Sequence, residues 1–85
     1  ACSKEEGTAC YNLAVLYDAG LGVEKDTKRA AQLYQKACTG NHAIGCRYVA
    51  VSYDMGQGVE VDKVRAREFF ALACKLGDKP SCGSE

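Results

Sequence analysis

Cysteines stand at positions 2, 10, 38, 46, 74 and 82 of this 85-residue chain. The gaps between them run 8, 28, 8, 28 and 8, so the pattern recurs every 8 + 28 = 36 residues. The rest of the sequence keeps the same period. Residues 10–45, "CYNLAVLYDAGLGVEKDTKRAAQLYQKACTGNHAIG", lie over residues 46–81, "CRYVAVSYDMGQGVEVDKVRAREFFALACKLGDKPS", without gaps and agree at 14 of 36 positions. The shared core reads A-V-x-Y-D-x-G-x-G-V-E-x-D-x-x-R-A, followed later by A-C. A fixed period of this length marks a solenoid built from stacked supersecondary units. A chain this short also needs staples, a metal or a partner to reinforce its small core.

Each unit predicts two helices. Cys10, Leu13, Ala14 and Tyr17 fall at i, i+3, i+4 and i+7 and form one apolar stripe. Thr8 is the expected N-cap of this helix and Gly20 its stop. Asp26 is the expected cap of the second helix, whose stripe is Ala30, Tyr34, Ala37 and Cys38, and Gly40 ends it. The second unit repeats the plan. Cys46, Val49, Ala50 and Tyr53 face inward and Gly56 stops the helix. After Asp62 come Ala66, Phe69, Phe70, Ala73 and Cys74, then Gly77. The fold class is therefore all-α, an α/α-hairpin solenoid of about two 36-residue repeats. Residues 2–9 read as the end of a preceding repeat, 10–45 and 46–81 as the two full units, and 82–85 as the start of another. The segments "GLGVEKD" and "GQGVEVD" read as turns inside each hairpin. No strand precedes them and no Lys-Ser/Thr pair follows, so they lack the context of a phosphate loop.

Charge and composition exclude several functions. Eleven basic and eleven acidic residues cancel, leaving no global field for nucleic acid or an anionic membrane. No apolar run reaches the length of a membrane span. The chain opens "ACSKEEG", which reads as a mature or excised segment without a signal peptide. Six cysteines in a chain this short point to a disulfide framework in an oxidising compartment, secreted or periplasmic. A zinc site would want C-x2-C pairs or several histidines, and there is one histidine, His42, which the sequence places in a solvated loop. Neither a metal nor a cofactor is expected.

The pattern "NLAVLYDAGLGVEKDTKRAAQLYQKAC" resembles the Sel1-like repeat, a longer-turned relative of the tetratricopeptide repeat. The added C-x7-C pairs narrow the resemblance to its cysteine-rich branch, typified by the Helicobacter cysteine-rich proteins. The likeness covers residues 2–82 and implies an interaction scaffold. It also implies two alternatives: β-lactam binding or slow β-lactam hydrolysis, described for some cysteine-rich members, and an assembly role in the mitochondrial intermembrane space.

The quoted thiols then read as staples between consecutive hairpins. Cys38 falls in the last turn of one helix and Cys46 in the first turn of the next, and antiparallel neighbours bring such positions within bridging range. Pairing Cys10 with Cys38 and Cys46 with Cys74 would strand Cys2 and Cys82. The favoured scheme, Cys2–Cys10, Cys38–Cys46 and Cys74–Cys82, uses all six and is also the one the resemblance implies.

The residues argue against an enzyme. Serine-based β-lactam chemistry wants Ser-x-x-Lys, and none of Ser3, Ser52, Ser81 and Ser84 has a Lys three residues on. Asp18 and Asp54 occupy equivalent positions, which suits a structural or surface role. Binding of a peptide or protein is the expected function, on the concave side lined by the first helix of each unit. Its candidate residues are Tyr11, Asn12, Val15, Arg47, Tyr48 and Val51. In related peptide-binding solenoids an Asn at the position of Asn12 holds an extended peptide backbone, its amide donating and accepting at once. With no polar capping helix visible, self-association through the apolar end faces is also expected.

Overall fold

The computed structural model of the chain describes residues 6–82. These form four helices of 13 residues and a short fifth: α1 Gly7–Ala19, α2 Thr27–Thr39, α3 Ala43–Met55, α4 Lys63–Lys75 and α5 Lys79–Cys82. No strand occurs among the described residues. The helices α1, α3 and α5 begin at 7, 43 and 79, and α2 and α4 at 27 and 63, so each series advances by 36. The period read from the cysteines is thus the period of the helices.

Local chemistry sets most boundaries. Asp26 and Asp62 are the N-caps of α2 and α4. Their carboxylates accept from the backbone N–H of Arg29 at 3.0 Å and Arg65 at 3.1 Å, satisfying a donor that the helix start leaves free. Gly20 and Gly56 close α1 and α3 in the left-handed conformation, with φ of 70° and 73°. The expected cap at Thr8 is not used. Thr8 lies inside α1, and Glu6 stands at the N-cap position without a side-chain cap bond. The start of α1 is set by packing: Gly7 is buried so closely that a Cβ there would lie 3.0 Å from both the Ala37 carbonyl and the His42 Cβ. Gly40 does cap α2, but the left-handed residue is the next one, Asn41, at φ 66°. Asn reaches this conformation at little cost.

Packing pairs α1 with α2 and α3 with α4, stacks α3 on α2, and lays α5 against α4. The result measures 35 × 26 × 17 Å. The core is built from small residues: Cys10, Ala14, Ala30, Ala37, Cys46, Ala50, Ala66 and Ala73 are at most 3% exposed. Small side chains let helix axes approach closely, and the limit is reached at Gly45. A Cβ there would stand 2.7 Å from the Ala37 Cβ. Larger groups fill the rest, with Tyr34 and Val49 buried and Leu33, Tyr53, Phe69 and Leu76 packed against them.

Two disulfides staple the hairpins where expected. Cys38–Cys46 joins the end of α2 to the start of α3, with Cα atoms 4.4 Å apart, and Cys74–Cys82 joins α4 to α5 at 4.9 Å. Cys2 lies outside the described residues, as do positions 83–85, so the pairing expected for Cys2 and Cys10 falls partly beyond them.

Candidate functional site

The repeated polar residues form a frame for the first helices. In each unit an arginine lies over a tyrosine, Arg29 over Tyr17 at 5.4 Å and Arg65 over Tyr53 at 5.8 Å from the ring centroid. The same arginines pair with the capping carboxylates, Arg29 with Asp26 at 3.8 Å and Arg65 with Asp62 at 3.5 Å. The backbone N–H groups of Asp26 and Asp62 donate to the carbonyls of Tyr17 and Tyr53, both at 2.9 Å. This explains the shared Y-D…D-x-x-R motif: its tyrosine, second aspartate and arginine pin the hairpin turn to the helix before it. Asp54 accepts from the Lys63 ammonium at 2.9 Å. Asp18, its counterpart, faces Thr27 at the position of Lys63 and makes no ion pair among the described residues.

An aromatic cluster occupies the junction of α1, α2 and α3. Tyr34 stacks on Tyr48 with ring centroids 4.9 Å apart, and Tyr11 stacks on His42 at 4.8 Å. Tyr11 bridges the two pairs, 5.9 Å from Tyr34 and 5.8 Å from Tyr48. Burial, followed by the charge of Asp18 and the neighbouring phenols, pushes the Tyr34 hydroxyl well above its usual range. Burial first, then Tyr48, raises Tyr11 as well.

His42 is half-buried rather than a solvated loop residue. It is the N-cap of α3, its Nδ1 accepting from the Gly45 N–H at 3.1 Å. That bond requires the lone pair of Nδ1, so a ring that caps in this way carries no proton there.

The same positions one repeat on carry different chemistry. Arg47 replaces Tyr11 and Asp78 replaces His42, an offset of 36 in each case. The aromatic stack of the first unit becomes an ion pair of 3.6 Å in the second. Asp78 is 8% exposed and also accepts from the Ser81 hydroxyl. Arg47 lies 5.5 Å over the Tyr48 ring as well, so its guanidinium links the aromatic cluster to the buried carboxylate.

Of the residues expected at a binding face, Tyr11, Arg47 and Tyr48 are thus brought together. Asn12 is exposed on α1, one position from the cluster. Val15 is half-buried against the core. Val51 is half-buried in a small cleft with Asp18, Tyr34 and Ser52. Sequence reasoning missed Tyr34, His42 and Asp78. Tyr34 was assigned to the core stripe alone, and the paired exchange of Tyr11 and His42 for Arg47 and Asp78 is visible once the units are superposed. What the arrangement offers is a patch of phenol rings and one guanidinium beside an exposed carboxamide.

Comparison with known proteins follows the same lines. The Sel1 repeat family model matches residues 7–42 and 43–78. No curated protein matches the chain. Among solved structures, the chain is similar to Helicobacter pylori cysteine rich protein B, with 38% identity and a TM-score of 0.89 over 91% of this chain. It is similar to c5321, a protective antigen of uropathogenic Escherichia coli strains, with 31% identity and a TM-score of 0.84 over 88% of the chain. A Sel1 repeat protein from Oxalobacter formigenes shows 28% identity and a TM-score of 0.87 over 89%. The chain spans 58%, 16% and 57% of these three, respectively, less than two thirds of each. The disulfides and the cysteine-rich neighbour fit an extracytoplasmic protein, and no described helix is long and apolar enough to cross a membrane. With two consecutive repeats matched over most of its length, the chain belongs to the Sel1 repeat family.

Proposed function

We propose that this chain is a secreted or periplasmic interaction module that holds an extended peptide, or a peptide-like segment of a protein, across α1 and α3. The contact residues are Tyr11, Asn12, Val15, Arg47, Tyr48 and Val51. The observation that carries this reading is the Tyr11–Tyr48–Arg47 cluster beside the exposed Asn12. Rings and guanidinium are the side chains that dominate binding energy at protein interfaces. Here they are held in place by packing, so little ordering cost remains to be met on binding. A carboxamide at the edge supplies a donor and an acceptor to a peptide bond. The Arg47–Asp78 pair fixes the guanidinium, which favours a carboxylate or carbonyl over a cation at that end.

A peptide array screened with the oxidised chain, followed by calorimetry on the hits, tests the proposal. Asn12→Ala is expected to weaken a true ligand by about 1–3 kcal/mol, the cost of leaving a peptide group unpaired, without lowering the melting temperature. A ligand that binds Asn12→Ala and Arg47→Ala as tightly as the parent would place the site elsewhere.

A further inference from the structure

The second unit neutralises a carboxylate that the first unit leaves bare. The Lys63 ammonium donates to the side chain and to the backbone carbonyl of Asp54, each at 2.9 Å. Subtracting 36 gives Asp18 and Thr27. Thr27 brings no charge, and the half-buried Asp18 makes no hydrogen bond or ion pair among the described residues. Asp18 borders a cleft of about 70 Å³. Asp18, Thr27 and Tyr34 wall it from the first unit, and Tyr48, Val51 and Gln57 from the second. All three helices around it, α1, α2 and α3, are described along their whole length. Tyr34 is 4% exposed, yet its hydroxyl has no hydrogen-bond partner among the described residues. A phenol buried to this degree ordinarily has one. The charge of Asp18 is felt at that hydroxyl, second to burial in keeping it neutral.

Resting on the peptide-binding reading above, we propose that this cleft takes a primary ammonium group of the ligand, either the free α-amino end of the peptide or a lysine side chain. The second unit shows the chemistry: there the chain's own ammonium fills the place that the first unit leaves to a ligand. Asp18 takes the charge, as Asp54 takes that of Lys63. The Tyr34 hydroxyl accepts one N–H, and the Tyr48 ring offers an aromatic face to the cation. The volume holds a few groups the size of a water, enough for an ammonium and the first carbons behind it. Tyr48 and Val51 also belong to the proposed peptide face, so the cleft adjoins that face. The opposite pole follows from the register. Arg47 holds in α3 the place of Tyr11 in α1, seven residues before Asp18, which is about 10 Å of helix. A ligand with its ammonium at Asp18 therefore brings a carboxylate to Arg47 about three or four extended residues away.

The experiment titrates the oxidised, nitrogen-15-labelled 85-residue chain with three peptide amides and follows the amide signals of Val51 and Gln57 by NMR. The peptides are Ala-Ala-Ala-Ala-Glu with a free amino end, the same peptide N-acetylated, and N-acetyl-Lys-Ala-Ala-Ala-Glu. An amine-bearing peptide is expected to bind about ten-fold more tightly than N-acetyl-Ala-Ala-Ala-Ala-Glu, the low end for a hydrogen bond to a charged group. Which of the two amines gains the preference distinguishes the α-amino end from the lysine side chain. Thr27→Lys copies Lys63 into the first unit, at a helix start that already carries this residue in the second. It is expected to abolish the preference while the acetylated peptide binds within two-fold of its parental value, and Asp18→Asn is expected to do the same. The proposal is overturned if neither amine-bearing peptide is preferred, if the preference survives both substitutions, or if no peptide binds. Asn12→Ala and Arg47→Ala separate the two readings. Binding lost in those variants but indifferent to acetylation keeps the peptide face and sinks the cleft; an ammonium preference undiminished in both keeps the cleft and sinks the face.

Discussion

His42 shows how much one side chain decides when it serves two helices. It caps α3 through Nδ1 and stacks on Tyr11 of α1. His42→Ala is expected to cost about 1–2 kcal/mol from the lost cap, with about 1 more from the lost ring contact. His42→Asn restores an acceptor at the cap but not the stack, and should recover roughly the first part; urea denaturation of the three oxidised chains checks both. Tyr34 makes a prediction in pH. Its hydroxyl titrates above the usual tyrosine value when folded, for reasons of burial and neighbouring negative charge. The unfolded chain therefore loses this proton first as pH rises past about 10. Stability conferred by the neutral phenol is complete below that pH and declines above it. Alkaline unfolding followed by circular dichroism should be less steep in Tyr34→Phe than in the parent. An equal slope would remove Tyr34 from the account.

At the scale of helices, sequence legibility follows how local each determinant is. Asp26, Asp62, Gly20 and Gly56 act within a few residues of themselves, so their roles are readable from the chain. The start of α1 is not, because Gly7 is placed by α2 and the turn beyond it. His42 was taken for a solvated residue because the ring that stacks on it, Tyr11, sits in a different helix; its cap bond to Gly45 is as local as those of Asp26 and Asp62. Asn12, Val15 and Val51 were grouped with Tyr11, Arg47 and Tyr48 by their place on the helix. The structure joins the last three through rings and guanidinium, contacts that depend on side-chain reach across helices. The same logic predicts the effect of Gly45→Ala. The added methyl meets the Ala37 Cβ at 2.7 Å, between helices joined by a cystine. A cost of about 1–3 kcal/mol is expected from forcing α2 and α3 apart. A melting temperature within a degree of the parent would show that the interface yields more easily than its geometry suggests.

For the whole molecule, the two described cystines carry stability that the small core does not. Each closes an eight-residue separation, and in the chain-entropy account such a bridge contributes about 2–3 kcal/mol. Replacing Cys38 and Cys46 together by Ser should lower stability by that amount in chemical denaturation. The bridges also change how the molecule carries load. Tension applied to the ends passes from α2 to α3 through sulfur, and the turn at 39–45 stays slack while the helices on either side unravel. The same holds at 75–81. In an optical-trap pull the oxidised chain should therefore come up short of its full contour. A reductant added under tension should release a further step of about 25 Å for each of the two described bridges. Within an extended array of such units, connected through the same elbows, the spacing between hairpins would survive a pull that melts every helix.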